Sequence, residues 1–82
     1  MAEIKYVITD EEGIHARPAG TLVKFVKELG CSATITKGEK TVDITRLMAV
    51  MSLGVKKGEE VTVTSDNEEA LSKIENFFKE NL

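Results

Sequence analysis

The chain's one histidine lies in the run "EEGIHARPAG", residues 11–20, with Arg17 two positions on and Pro18 directly after it. A neutral imidazole is a nucleophile near pH 7, and a guanidinium is a planar donor fork matched to phosphate oxygens. Held together, the two can take up a phosphoryl group and compensate its charge, with positioning supplying most of the catalysis. A lone histidine near a helix start is more often an ordinary half-exposed polar residue, so the case depends on what holds it there.

The pattern that follows predicts a helix from Ala16. Ala19, Leu22, Val26 and Leu29 share one face at helical spacing, and Gly30 stops the run. His15 is then the N-cap residue, and Pro18 falls where no intrahelical N–H bond is due. The amides of Ala16 and Arg17 have no carbonyl partner within the helix, and the helix dipole adds partial positive charge beside the ring. Ala16, Arg17 and Pro18 are therefore the candidate phosphate-binding residues. The helix end is expected to favour the neutral, nucleophilic form of His15, and the small residues Ala16, Ala19 and Gly20 leave room for another protein to approach.

Around this helix the chain alternates with period two in several places. "EIKYVIT" puts Ile4, Tyr6 and Ile8 on one face of a strand, and "DEEG" reads as a turn. Residues 31–44 read as a hairpin, "CSATIT" and "TVDI" joined by "KGEK". "TRLMAVMSLG" is a short apolar helix with Thr45 as its expected N-cap and Gly54 at its end. "VTVTS" supplies a fourth strand. "DNEEALSKIENFFKENL" supplies a last helix, capped by Asp66 or Asn67, with Leu71, Ile74, Phe77 and Phe78 as its buried stripe. The order βαββαβα, with one apolar face per strand, predicts an α+β open-faced sandwich in one domain, residues 1–82.

Composition excludes several functions. A net charge of −3, with no basic run, argues against nucleic acid or an anionic membrane as a partner. The N-terminal run "MAEIKYVITD" is charged and alternating, so it reads as neither a signal peptide nor a membrane span. The single cysteine, Cys31, is expected to be a small buried residue and fits a reducing cytoplasm. One His and one Cys cannot close a metal site, and no cofactor is expected. A small ligand-binding domain is disfavoured too, because no glycine-rich phosphate loop appears.

A second feature lies in mid-chain. Val50 and Leu53 fit the core side of the short helix, yet Leu47, Met48 and Met51 make it apolar on more than one side. Such a helix is either fully buried or presents a binding patch, and methionine suits a patch that must fit several partners.

With "GIHARPA" near the start and "LMAVMSLG" in mid-chain, the sequence resembles the HPr family, phosphocarriers of the bacterial phosphoenolpyruvate:sugar phosphotransferase system. The likeness spans essentially the whole chain in length and element order. It implies a four-stranded antiparallel sheet with three helices on one face. It also implies that His15 accepts a phosphoryl group on Nδ1 from phosphorylated enzyme I and passes it to the IIA component of a sugar permease. Arg17 matches the phosphate-stabilising arginine. Leu47, Met48 and Met51 match the docking patch, to which Gly20, Thr21 and Lys24 are also assigned. The protein is then a cytoplasmic carrier and not an enzyme in its own right, expected to act as a monomer. The alternatives are an HPr-like regulatory module that works by docking alone, and a carrier of a nitrogen-related phosphotransferase system.

One position departs from the family pattern. In the low-GC Gram-positive branch, which "VMSLG" most resembles, the position matching Arg46 is a serine phosphorylated by an ATP-dependent kinase. An arginine has no hydroxyl to modify, so that switch is expected to be absent here.

Overall fold

Alternation in the strand segments puts their apolar residues on one face of a single antiparallel sheet. In the computed structural model, which describes residues 2–82, the elements are β1 (Ala2–Val7), α1 (Ala16–Leu29), β2 (Ala33–Lys37), β3 (Lys40–Asp43), α2 (Leu47–Ser52), β4 (Glu60–Ser65) and α3 (Glu68–Asn81). The strand order is β1-β4-β2-β3, with β4 between β1 and β2. Ile4 pairs with Val63, Val63 with Ile35, and Ile35 with Val42, so one apolar row crosses all four strands. The row behind it, Lys5–Thr62–Thr36–Thr41, is polar and belongs to the open face, where the hydroxyls of Thr36 and Thr41 bond at 2.8 Å.

The helices cover the apolar face. α3 packs on β1 and β4, α1 on α3 and α2, and α2 on β3. Leu22, Val26, Ile35, Ile44, Val50, Val61, Val63, Ile74 and Phe78 are fully buried between the layers. Each such side chain contributes about 1.5–3 kcal/mol through removal from water. Of the two caps expected for α3, Asn67 is used: its side-chain oxygen accepts the Ala70 N–H at 3.1 Å. At the other end of that helix, the Leu82 carbonyl takes N–H bonds from Thr9 (2.6 Å) and Asp10 (2.8 Å) and a hydroxyl bond from Thr9. This fastens α3 to the loop that leads into α1.

Three sequence expectations are corrected. Thr45 is not the N-cap of α2; Arg46 is, because the Asp43 carboxylate captures both the Thr45 N–H (2.8 Å) and its hydroxyl (2.7 Å) in a local turn. Cys31 is partly exposed rather than buried, since β2 begins only at Ala33. Phe77 is half-buried: its ring stacks on Phe25 of α1, at a centroid distance of 5.4 Å, on the edge of the core.

Candidate functional site

His15 ends the loop and starts the helix because its backbone is extended, with φ −109° and ψ −175°. Its carbonyl accepts the first helical bond, from the Ala19 N–H at 3.0 Å, and its side chain caps nothing. A serine or aspartate at this position normally bonds the first-turn amides. Here the amides of Ala16 and Arg17 precede the first helical bond, and Pro18, which is buried, has none to offer. α1 therefore presents two donors and the positive end of its dipole with no protein acceptor supplied by its cap.

The loop before the ring is held by its own backbone. Asp10 closes it, taking the Glu12 N–H on Oδ1 at 2.8 Å and the Gly13 N–H on its carbonyl at 2.9 Å. Gly13 has φ +69°, and a Cβ there would run into the Val55 carbonyl oxygen and stand 2.8 Å from Lys56 Cα. Only glycine permits that approach. Ile14 is buried and donates its N–H to the Val55 carbonyl at 3.0 Å. The histidine backbone is thus fixed from both sides while its side chain stays 36% exposed, within reach of a partner.

Around the ring lies a shallow cleft of ≈ 280 Å³ lined by Asp10, His15, Arg17, Pro18, Thr21 and Asn81. Glu12 Oε2 is 3.3 Å from His15 Nε2, and Asp10 Oδ1 is 4.0 Å away. Arg17 is exposed and forms no ion pair among the described residues, so its charge is open to an incoming anion. A larger hollow at the far end of α1, lined by Gly30, Cys31, Ser32, Asp66 and Glu68 among others, is acidic and has no cation to hold a phosphoryl group.

The second motif divides. Met48 is 76% exposed and Leu47 37%, whereas Met51 is half-buried and packs against the core that Val50 and Leu53 enter. Since α2 packs on α1, this apolar surface belongs to the neighbour of the histidine-bearing helix. On α1, Thr21 and Lys24 are exposed and Gly20 is half-buried; the Thr21 hydroxyl donates to the Arg17 carbonyl at 3.0 Å. Arg46 is exposed at the start of α2.

Sequence reasoning missed Asp10, Glu12 and Asn81. The acidic run before "GIHARP" was readable as a set of carboxylates beside the ring, but reads first as a turn. Asn81 reaches the cleft only through the packing of α3. Among the described residues there is no helix long and apolar enough to cross a membrane, and no cluster of three potential metal ligands.

Comparison with known proteins places the chain in a family. A family model described as "PTS HPr component phosphorylation site" matches residues 2–80. The phosphocarrier protein HPr of Mycoplasma capricolum is 37% identical over 70 residues, which are 85% of this chain and 79% of that protein. Among solved structures, the histidine-containing phosphocarrier protein of a mycoplasma superposes with a TM-score of 0.90 at 32% identity, covering 96% of this chain and 93% of that one. Phosphocarrier protein HPr from Bacillus anthracis gives 0.87 at 28% identity, covering 94% and 95%. With the family model matching residues 2–80 and the fold shared with solved phosphocarriers, the chain belongs to the HPr family of phosphotransferase-system phosphocarriers.

Proposed function

We propose that this chain is a phosphoryl carrier that accepts on His15 Nδ1 from phosphorylated enzyme I and donates to the IIA components of sugar permeases. The Nδ1 lone pair attacks phosphorus, and the donor's bond to phosphorus breaks with its electron pair leaving on the donor atom. Donation runs the same displacement in reverse, with the pair returning to Nδ1. Arg17 and the amides of Ala16 and Arg17 receive the phosphoryl oxygens, and Pro18 sets the helix start that aims those amides. Leu47, Met48 and Met51, with Gly20, Thr21 and Lys24, form the docking surface. The carrier works in the cytoplasm as a monomer, with no metal or cofactor.

The observation that carries this reading is the uncapped N-terminus of α1 beside a half-exposed, backbone-anchored imidazole. A module acting by docking alone has no use for a phosphorylatable ring with free donors beside it. The test is incubation with phosphoenolpyruvate and a cognate enzyme I. One acid-labile, base-stable phosphate per chain is expected, and it should be lost in His15→Ala while the fold is kept. A folded His15→Ala variant that still accepts phosphate would overturn the site.

A further inference from the structure

Two carboxylates face the histidine ring, and the phosphoryl-transfer geometry above makes no use of them. Glu12 Oε2 is 3.3 Å from Nε2, and Asp10 Oδ1 is 4.0 Å from the same nitrogen. Both address the ring nitrogen opposite the one that takes the phosphoryl group. Asp10 already accepts the Glu12 N–H on that oxygen, whereas the Glu12 side chain makes no other hydrogen bond or ion pair among the described residues and is 73% exposed. The other polar side chains lining the cleft are Arg17, whose guanidinium is cationic, and Thr21 and Asn81, which are neutral. Glu12 is thus a carboxylate with one neighbour to act on.

We propose that Glu12 is a positioning residue of this carrier: its carboxylate holds the proton on Nε2, which leaves Nδ1 as the attacking nitrogen and then activates the phosphorylated ring for donation. The proposal rests on the carrier reading above and adds to it the control of donation. In acceptance, a ring protonated on Nε2 has its lone pair on Nδ1, so the carboxylate selects the nucleophilic atom. After transfer, the ring carries phosphoryl on Nδ1 and a proton on Nε2, with positive charge delocalised between them. When an acceptor attacks phosphorus, the P–Nδ1 bond breaks and its electron pair returns to Nδ1. The group that leaves is then neutral imidazole, because Nε2 keeps its proton. Without that proton the leaving group is an imidazolate anion, a far poorer one. A negative charge beside Nε2 stabilises the protonated, donating form, and Arg17 with the amides of the helix start offsets its repulsion of the phosphoryl oxygens.

Glu12 can be changed without disturbing the loop, because the turn at Asp10 uses the Glu12 backbone N–H and not its side chain. The experiment compares the unmodified chain with Glu12→Gln, Glu12→Asp and, as a neighbouring-charge control, Asp10→Asn. Each is phosphorylated by enzyme I, purified, and mixed with a IIA domain across a pH series. Nitrogen-15 spectra of His15 report the tautomer before phosphorylation. For the unmodified chain, donation should fall with rising pH as Nε2 loses its proton. In Glu12→Gln this falling limb should move to lower pH, reducing donation on its alkaline side by about two- to threefold, as suits an exposed charge. The Nε2-protonated tautomer should also decline, and Glu12→Asp should restore part of both effects. A purely structural role would move neither the limb nor the tautomer. Glu12→Gln with an unshifted limb and an unchanged tautomer overturns this proposal while leaving the carrier intact. An unmodified chain that takes no phosphoryl group on His15 overturns both.

Discussion

The amide of Ile14 donates to the carbonyl of Val55 at 3.0 Å, fastening the residue before the histidine to the segment between α2 and β4. That bond exists because Gly13 lets the two backbones meet. The loop that carries His15 is therefore positioned by a contact some forty residues distant in the sequence.

Gly13→Ala should consequently be costly. It forces a side chain into a left-handed backbone and against the Val55 carbonyl, so a loss of at least about 2 kcal/mol is expected. Gly20→Ala is the opposite case, since Gly20 is helical and a Cβ there has nothing within 4 Å. It should gain about 0.5–1 kcal/mol. Urea unfolding of the two variants at matched slope checks both. A neutral Gly13→Ala would mean that the loop is not anchored at Val55.

The helix start was legible from "HARP" and the spacing of Ala19, Leu22 and Val26, because local pattern alone sets a helix face and its cap. The sheet was legible as four alternating segments, but not its order: β4 between β1 and β2 depends on long-range pairing that no local pattern encodes. Thr45 misled for a local reason, since Asp43 two residues earlier competes for the same hydroxyl and amide. Glu12 was hidden in a turn whose side-chain direction follows from the fold around it.

Met48 and Met51, alike in sequence, should now behave differently. Met48→Asp alters a side chain that is 76% exposed, so stability should stay within about 0.5 kcal/mol while docking to enzyme I weakens. Met51→Asp brings a carboxylate against the core and should cost about 1–3 kcal/mol of stability as well. Denaturation and enzyme I binding, measured on both, separate the effects. Equal stability losses would remove the distinction.

Acid should weaken the fold through two carboxyls. The Lys56 N–H at 2.7 Å, and then Lys37 Nζ at 3.1 Å, hold Glu59 below its ordinary value of 4.5. The Thr45 hydroxyl, and then its N–H, hold Asp43 below 3.8. Both groups release their proton more readily folded than unfolded. Their contribution is therefore full above the ordinary values and is lost as pH falls through the lowered ones. The urea midpoint should drop from about pH 5 towards about pH 3, and less steeply in Glu59→Gln. An identical slope in that variant would show that Glu59 has no part in the acid response.

The family resemblance implies a modified serine at the position of Arg46, and the hydroxyls on either side of it are engaged in local hydrogen bonds. A phosphate at the start of α2 would add about −1.5 to −2 charge beside Leu47 and Met48; Arg46 puts a fixed positive charge there. Because Arg46 is exposed, that charge should favour acidic partners by no more than about 1 kcal/mol. Thr45 is engaged by Asp43, and the Ser52 hydroxyl donates to the Ala49 carbonyl at 2.7 Å while Lys40 Nζ approaches it at 3.3 Å. Incubation with an HPr kinase and ATP should therefore leave no acid-stable phosphate on the unmodified chain. Arg46→Ser restores a hydroxyl at the N-cap, where serine is also the better cap, and should become a substrate without losing stability. Robust labelling of the unmodified chain at Thr45 or Ser52 would show that the switch had shifted along the helix; it would also mean that these hydroxyl bonds open readily enough for a kinase to reach them.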